Sequence, residues 1–329
     1  MFAVAMSNRQ RFQETMHHGR PDRLPYFEEG IREEVVKVWR EQGLAADADL
    51  ATLFPSDPVE YIEPDLYPRP MFERWPNSRA ELAALEKRLD PADAARLPEN
   101  WAEQVQALQD RDTVRMLQVH QGFFLSAGVM GWGRFADVMR ALFEDPGYVH
   151  RLMEICGEFS AALTERMLAE VSIDAAVFSE PIGGSEGPLI SPRMYEEFVL
   201  PSYEPLLQVL RRHGVDTLVF ITYANARLLI PSILERGFNC LWACEVFGGA
   251  MDYRDIRREF GRDLRLIGGI DLDALRRGKD AIREEIEAKV PPLVASGGYV
   301  PLADGRVRED VAFEDYAYYR EKLRSVLER

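Results

Sequence analysis

Seven short runs of β-forming residues alternate along this chain with stretches of helical periodicity, and that alternation restricts it to an α/β architecture. The runs are RLPYFEEG (23–30), VRMLQVHQ (114–121), AAVFSEP (175–181), TLVFITY (217–223), CLWACEV (240–246), RLIGGID (265–271) and YVPLADG (299–305). Each is rich in β-branched or aromatic residues, and several end in polar or glycine-containing turns. Between most of them lie segments 135–142, 148–168, 192–212, 227–236, 253–260, 272–289 and 313–327, with apolar residues at three-to-four spacing. Asp145-Pro146 and Ser191-Pro192 mark two helix starts, because proline suits the first helical turn. Strands that alternate with helices form a parallel sheet. A doubly wound sheet would carry a GxGxxG turn after its first strand, and none is present. The expected fold is therefore a closed (β/α)8 TIM barrel, with seven strands legible and the eighth not obvious from the pattern.

The 329 residues suit one large barrel, read here as a single domain over 1–329. Residues 45–110 break the rhythm with Pro55, Pro58, Pro64, Pro68, Pro70 and Pro76, followed by a charged helical stretch. They read as an insertion between the first two strands, a hairpin and helix beside the barrel mouth. A hydrophobic content of 47% and a charged content of 29% fit a globular protein with a real core. A net charge of −15 argues against nucleic acid or an anionic membrane as partner. No apolar run reaches the roughly 18 residues that span a bilayer. The opening MFAVAMSNRQRF lacks the basic region and long apolar core of a signal peptide. With only Cys156, Cys240 and Cys244, a disulfide framework is not expected, and a reducing cytoplasm fits.

In a barrel, reactive groups gather at the C-terminal ends of the strands. Those ends offer Glu28 and Glu29, His120 and Gln121, Glu180, Tyr223 and Asn225, Cys244 and Glu245, Asp271, and Asp304 with Arg306. His120 is an acid/base group or a hydrogen-bonded structural histidine. Glu180 precedes Pro181; burial would raise its pKa and make it a general acid, or it ties down the loop at Gly183-Gly184. Glu245 divides the same way. Asp271 binds substrate or caps the following helix, with capping the safer reading. Cys240 and Cys244 share a face, as core residues do. Gly268-Gly269 admits a substrate to the backbone or permits close packing.

Several blocks, in order, resemble one family. RFQETMHHGRPDRLPYFEEG, PLISPRMYEEFVLPSYEPLLQVLRRHGV, ITYANARLLIPSILERGFNCLWACEV, LIGGIDLDALRRGKDAI and GGYVPLADGRVREDVAFEDYAYY resemble the uroporphyrinogen decarboxylase superfamily. That superfamily also contains corrinoid-dependent methyltransferases, and the opening block is similar to their branch. The resemblance implies a (β/α)8 barrel. Uroporphyrinogen decarboxylases carry an arginine-rich N-terminal motif that clamps the substrate's carboxylates. PYFEEG stands there instead, with two acids that would repel a polyanionic tetrapyrrole. Zinc-dependent members carry a His-x-Cys pair where Ile221 and Tyr223 stand, and a cysteine where Asp304 stands. No metal is therefore expected. The resemblance places Tyr223 and Asp304 close in space, as a proton donor or a hold on a substrate oxygen.

The resemblance to the methyltransferase branch implies a small-molecule enzyme that moves a methyl group between a small methylated substrate and a corrinoid carried by a partner protein, with no tightly bound cofactor of its own. Tyr223, Asp304, Glu180 and His120 are the expected catalytic groups. Glu28, Gln121, Asn225, Glu245, Asp271 and Arg306 are expected to bind substrate. One alternative is a decarboxylase or related lyase acting on a pyrrole or aromatic acid, with Asp304 and Arg306 supplying the proton and the charge neutralisation. Another is a catalytically inactive binding module.

Overall fold

A computed structural model describes residues 5–244 and 249–328. Among them are seven strands: β1 (Val59–Ile62), β2 (Val114–His120), β3 (Ala175–Glu180), β4 (Leu218–Tyr223), β5 (Cys240–Cys244), β6 (Arg265–Ile270) and β7 (Tyr299–Ala303). The chain divides into two compact units. A central unit comprises Glu60–Arg111 and Arg115–Asn239, and a terminal unit comprises Met1–Val59, Asp112–Val114 and Cys240–Arg329.

In the central unit β2 pairs with β3 and β3 with β4, both in parallel. The strands alternate their side chains between two faces. Phe178 on β3 and Phe220 on β4 meet Phe238, with ring centroids 4.7 Å and 5.9 Å apart. Tyr203 of the Leu200–Arg212 helix closes on Phe178 at 5.3 Å. Burying one such side chain is worth about 1.5–3 kcal/mol, so this aromatic layer is what fixes the helices to the sheet. The long Pro146–Leu168 helix starts as its sequence requires, with Asp145 accepting a hydrogen bond from the Tyr148 N–H. Ser191 likewise caps Pro192–Met194 through the Met194 N–H. The expected helix 192–212 is interrupted by a π turn at Tyr195–Val199, where the Leu200 N–H reaches the Tyr195 carbonyl. Pro201, with no N–H to give, follows at once.

In the terminal unit β5, β6 and β7 run parallel in that order. The Lys279–Ser296 helix buries Ile282, Ile286, Val290 and Leu293, a stripe at three-to-four spacing. The expected helix 272–289 is two helices, broken between Arg276 and Lys279. Trp39, Phe54, Phe313 and Tyr316 make an aromatic cluster, and the Trp39 ring nitrogen donates to the Val311 carbonyl.

Two expectations are corrected. The run 23–30 is not a strand, because side chains occupy its backbone groups. Asp57 accepts from the Tyr26 N–H, Arg23 donates to the Leu24 carbonyl and Arg320 donates to the Phe27 carbonyl. Pro25 has no N–H to offer a ladder. The strand that comes first is β1, inside the span 45–110 read as an insertion. That span also holds helices Leu50–Leu53, Leu82–Arg88 and Trp101–Asp110, and no hairpin among the described residues. No helix of the described residues is long and apolar enough to cross a membrane.

Candidate functional site

Each unit gathers part of the expected residues. In the central unit, β2 and β3 keep register from Met116↔Ala175 to Gln118↔Val177, then slip so that His120 faces Phe178. The extra residue is a bulge, which re-aims the side chain at the strand end. His120 consequently sits in the aromatic layer, 1% exposed, with its ring edge-on to Tyr203 at 4.6 Å. Its Nδ1 accepts from the Gly122 N–H at 2.9 Å, which places the ring proton on Nε2. Burial pushes its pKa down to about 3, so the ring is neutral.

Glu180, at the end of β3, has no exposed surface. Its Oε1 accepts from the Phe123 N–H at 2.8 Å, and its Oε2 from the hydroxyls of Tyr203 at 2.5 Å and Tyr195 at 3.1 Å. Burial pushes its pKa up to about 7 against the pull of these three donors. Gly122 makes the arrangement possible. Its φ is +79°, and a Cβ there would lie 2.5 Å from the Ser179 carbonyl oxygen and 2.6 Å from Glu180 Oε1. Gln121 is buried, with its amide 3.4 Å from the Leu66 carbonyl. The loop at Gly183-Gly184 is held by backbone bonds to Gly187 and Asn225, while the Glu180 carboxylate is taken by Phe123, Tyr195 and Tyr203. Asn225 also accepts from the Arg227 N–H, which gives it a turn-forming role. Tyr223, the last residue of β4, is 39% exposed and alternates with Thr222, which is fully buried. Of the expected residues in this unit, the fold brings His120 and Glu180 together in a closed layer and leaves Tyr223 open.

In the terminal unit a second set converges beyond the end of β7. Asp304 is 2% exposed, and its Oδ1 accepts from the Leu272 N–H at 2.9 Å. Glu28 is tied down by Arg320 at 2.6 Å and by the Tyr316 hydroxyl. That pairing is structural, since Arg320 also holds the carbonyls of Phe27 and Pro55. Its neighbour Glu29 is partly buried. Its pKa is pushed up to about 7, first by burial and then by the charges of Glu28 and Asp304, while Arg306 and Arg32 pull it down. Arg306 is exposed. Asp271 caps its helix by accepting from the Asp273 N–H at 2.9 Å, the safer of its two readings. Gly269 serves close packing, because a Cβ there would lie 2.4 Å from the Tyr253 ring. Cys240 and Cys244 are buried in β5 and form no disulfide. Glu245 lies outside the described residues.

A family model described as Uroporphyrinogen decarboxylase (URO-D) matches residues 59–300, well over half of the chain. The chain belongs to this family. A relative named "Uroporphyrinogen decarboxylase", from Nostoc sp., is 21% identical over 192 residues, which is 58% of this chain and 52% of that protein. The chain therefore matches about half the length of that relative. The family is one of small-molecule enzymes. The matched span includes His120 and Glu180 but neither Glu29 nor Asp304. Ile221 and Tyr223, where the resemblance sets a His-x-Cys pair of zinc ligands, offer neither thiolate nor imidazole, the usual zinc donors. Glu29 was legible as one of two adjacent acids. Nothing in the sequence showed that Arg320 and Tyr316, some 290 residues away, hold Glu28, or that Glu29 is buried enough for its pKa to rise.

Proposed function

We propose that the chain is a zinc-free, acid-assisted methyltransferase of this family and that Glu29 is its proton donor. The observation that carries the reading is the juxtaposition of Glu29 with Asp304 and Arg306 at the end of β7. A carboxyl that exchanges its proton near neutral pH is matched to general acid work. Glu29 would protonate the heteroatom that leaves as a methyl group departs from a small methylated donor. Asp304, fixed by the Leu272 N–H, would orient that donor, and Arg306 would set the acidity of Glu29. The methyl acceptor, a corrinoid presented by a partner protein, is a co-substrate and not a resident group of this chain. Glu28, Glu29 and Asp304 together favour a neutral or cationic donor. The (β/α)8 barrel belongs to the same proposal and rests on family membership and the parallel strand pairs.

A second reading is decarboxylation of a pyrrole or aromatic acid, favoured by the family match and the name of the relative. Arg306 would then take the substrate carboxylate, and Glu29 would protonate the carbon that loses it. One assay separates the two. The protein is incubated with small O-, N- and S-methyl compounds and free reduced corrinoid, or with aromatic and pyrrole carboxylic acids alone. Demethylated product that requires the corrinoid supports methyl transfer, and carbon dioxide released without it supports the second reading. In either case Glu29→Gln is expected to cost about 10²–10⁴ in rate and to remove the alkaline limb of the pH profile. Full activity in Glu29→Gln would exclude Glu29 as the acid.

A further inference from the structure

In the central unit the segments that follow β1 and β2 enclose a cleft of about 700 Å³, with residues 65–71 as one wall and Met130 as the other. The frame of this cleft is fixed. Arg96 has no exposed surface and donates to the carbonyls of Asp65, Tyr67 and Arg88. Arg88 in turn donates to the carbonyls of Pro70 and Met71. Behind the second wall Gly128 has a φ of +78°, and a Cβ there would lie 2.1 Å from the Trp75 ring. Trp75 packs edge-on to Phe72, with ring centroids 5.6 Å apart. The lips are free by contrast. Met71 is 49% exposed and Met130 68% exposed, and unbranched thioether chains adapt to what they touch. A fully buried arginine engaged on the carbonyls of a surface segment orders that segment before any ligand arrives, which lowers the cost of binding.

The charges around the cleft cancel. Arg69 faces Asp65 at 2.6 Å and Asp93 at 3.6 Å, and Arg96 faces Asp65 at 3.9 Å. Two acids and two arginines leave no charge for an ionised ligand to neutralise. The Tyr67 hydroxyl, by contrast, has no hydrogen-bond partner among the described residues. We propose that this cleft binds an uncharged aromatic molecule that carries an oxygen substituent. The ring would lie between the thioethers of Met71 and Met130, against Pro68 and Pro70, with its oxygen at the Tyr67 hydroxyl. Sulfur makes favourable contacts with aromatic rings that an aliphatic body of the same size cannot supply. An apolar lining with one placed polar group, at the C-terminal ends of strands, is the usual form of a small-molecule site. The inference does not rest on either reading of the reaction. Glu29, Asp304 and Arg306 belong to the terminal unit, and every residue of the cleft to the central one.

The test is a titration of the whole protein, labelled with 13C at its methionine methyl groups, with anisole as the probe. Met71→Leu and Met130→Leu assign the two signals. Both should move upfield and saturate, because an aromatic ring between them shields both methyls, while the other methionine signals stay in place. Methoxycyclohexane, which keeps the oxygen and lacks the ring, and benzoate, which adds a charge, should displace anisole only at about tenfold higher concentration or more. Tyr67→Phe should weaken anisole binding about 3- to 10-fold, the worth of one net hydrogen bond. Met130→Lys changes an exposed residue, so it should abolish the response of Met71 and leave the melting temperature unchanged. The proposal is overturned if the two signals fail to saturate together or if either competitor matches anisole. Undiminished binding in Tyr67→Phe or in Met130→Lys would overturn it as well.

Discussion

Replacing Glu180 by glutamine should make the protein more stable above neutral pH, although it deletes a fully buried group with three hydrogen bonds. The folded-state pKa of Glu180 is raised from 4.5 to about 7 by burial. A carboxyl whose folded pKa is raised binds its proton more tightly in the folded protein. Its contribution is therefore fully present below about pH 4.5 and is lost as pH rises through about 7. At about 1.4 kcal/mol per pH unit, this amounts to roughly 3 kcal/mol by pH 8. Glutamine copies the neutral acid in shape and cannot ionise. The mutant and wild type should thus differ little at pH 5, with the mutant gaining on the order of 3 kcal/mol by pH 8. Urea denaturation at half-unit steps from pH 5 to 8 measures this, provided the urea dependence is the same in both proteins. Glu29 titrates in the same range and direction, so each curve alone will slope, and the difference between them isolates Glu180. Parallel curves, or a mutant that is equally destabilised at every pH, would refute the argument that burial outweighs the three donors.

Gly122→Ala should cost about 2 kcal/mol or more in urea unfolding, because the left-handed φ of +79° and the contact at 2.5 Å add together. A loss under about 0.5 kcal/mol would mean the turn relaxes freely. Arg320→Met should destabilise by about 3–5 kcal/mol, since it leaves Glu28 enclosed without its partner at 2.6 Å. Adding Glu28→Gln should recover part of that loss, and no recovery would show that the carbonyls of Phe27 and Pro55 matter more than the ion pair. Elemental analysis of the purified protein should find no stoichiometric zinc; one tightly held zinc per chain would contradict the donor chemistry at Ile221, Tyr223 and Asp304.

Periodicity by itself determined six of the seven strands and the long helices from Trp132 onward, because alternation and three-to-four spacing are local and survive in any surrounding; the helices Asn8–Met16, Glu33–Glu41 and Gly122–Ser126 it left unread. The same holds for the caps at Asp145, Ser191 and Asp271, whose signal lies within three residues of the group they satisfy. The failed strand at 23–30 shows the limit. Its residues favour extended backbone, but whether an extended segment joins a ladder depends on which partners reach it, and Asp57 and Arg320 arrived first. The site divided along the same line. Sequence placed acids at strand ends, yet only the bulge at the end of β2 and the helix packing over β3 decided that His120 and Glu180 turn into the aromatic layer. Likewise, only burial, with the charges of Glu28 and Asp304 brought close in space, raised the pKa of Glu29 to about 7. Acidity is set by burial and by charges brought close in space, and neither is a property of a residue's place in the chain.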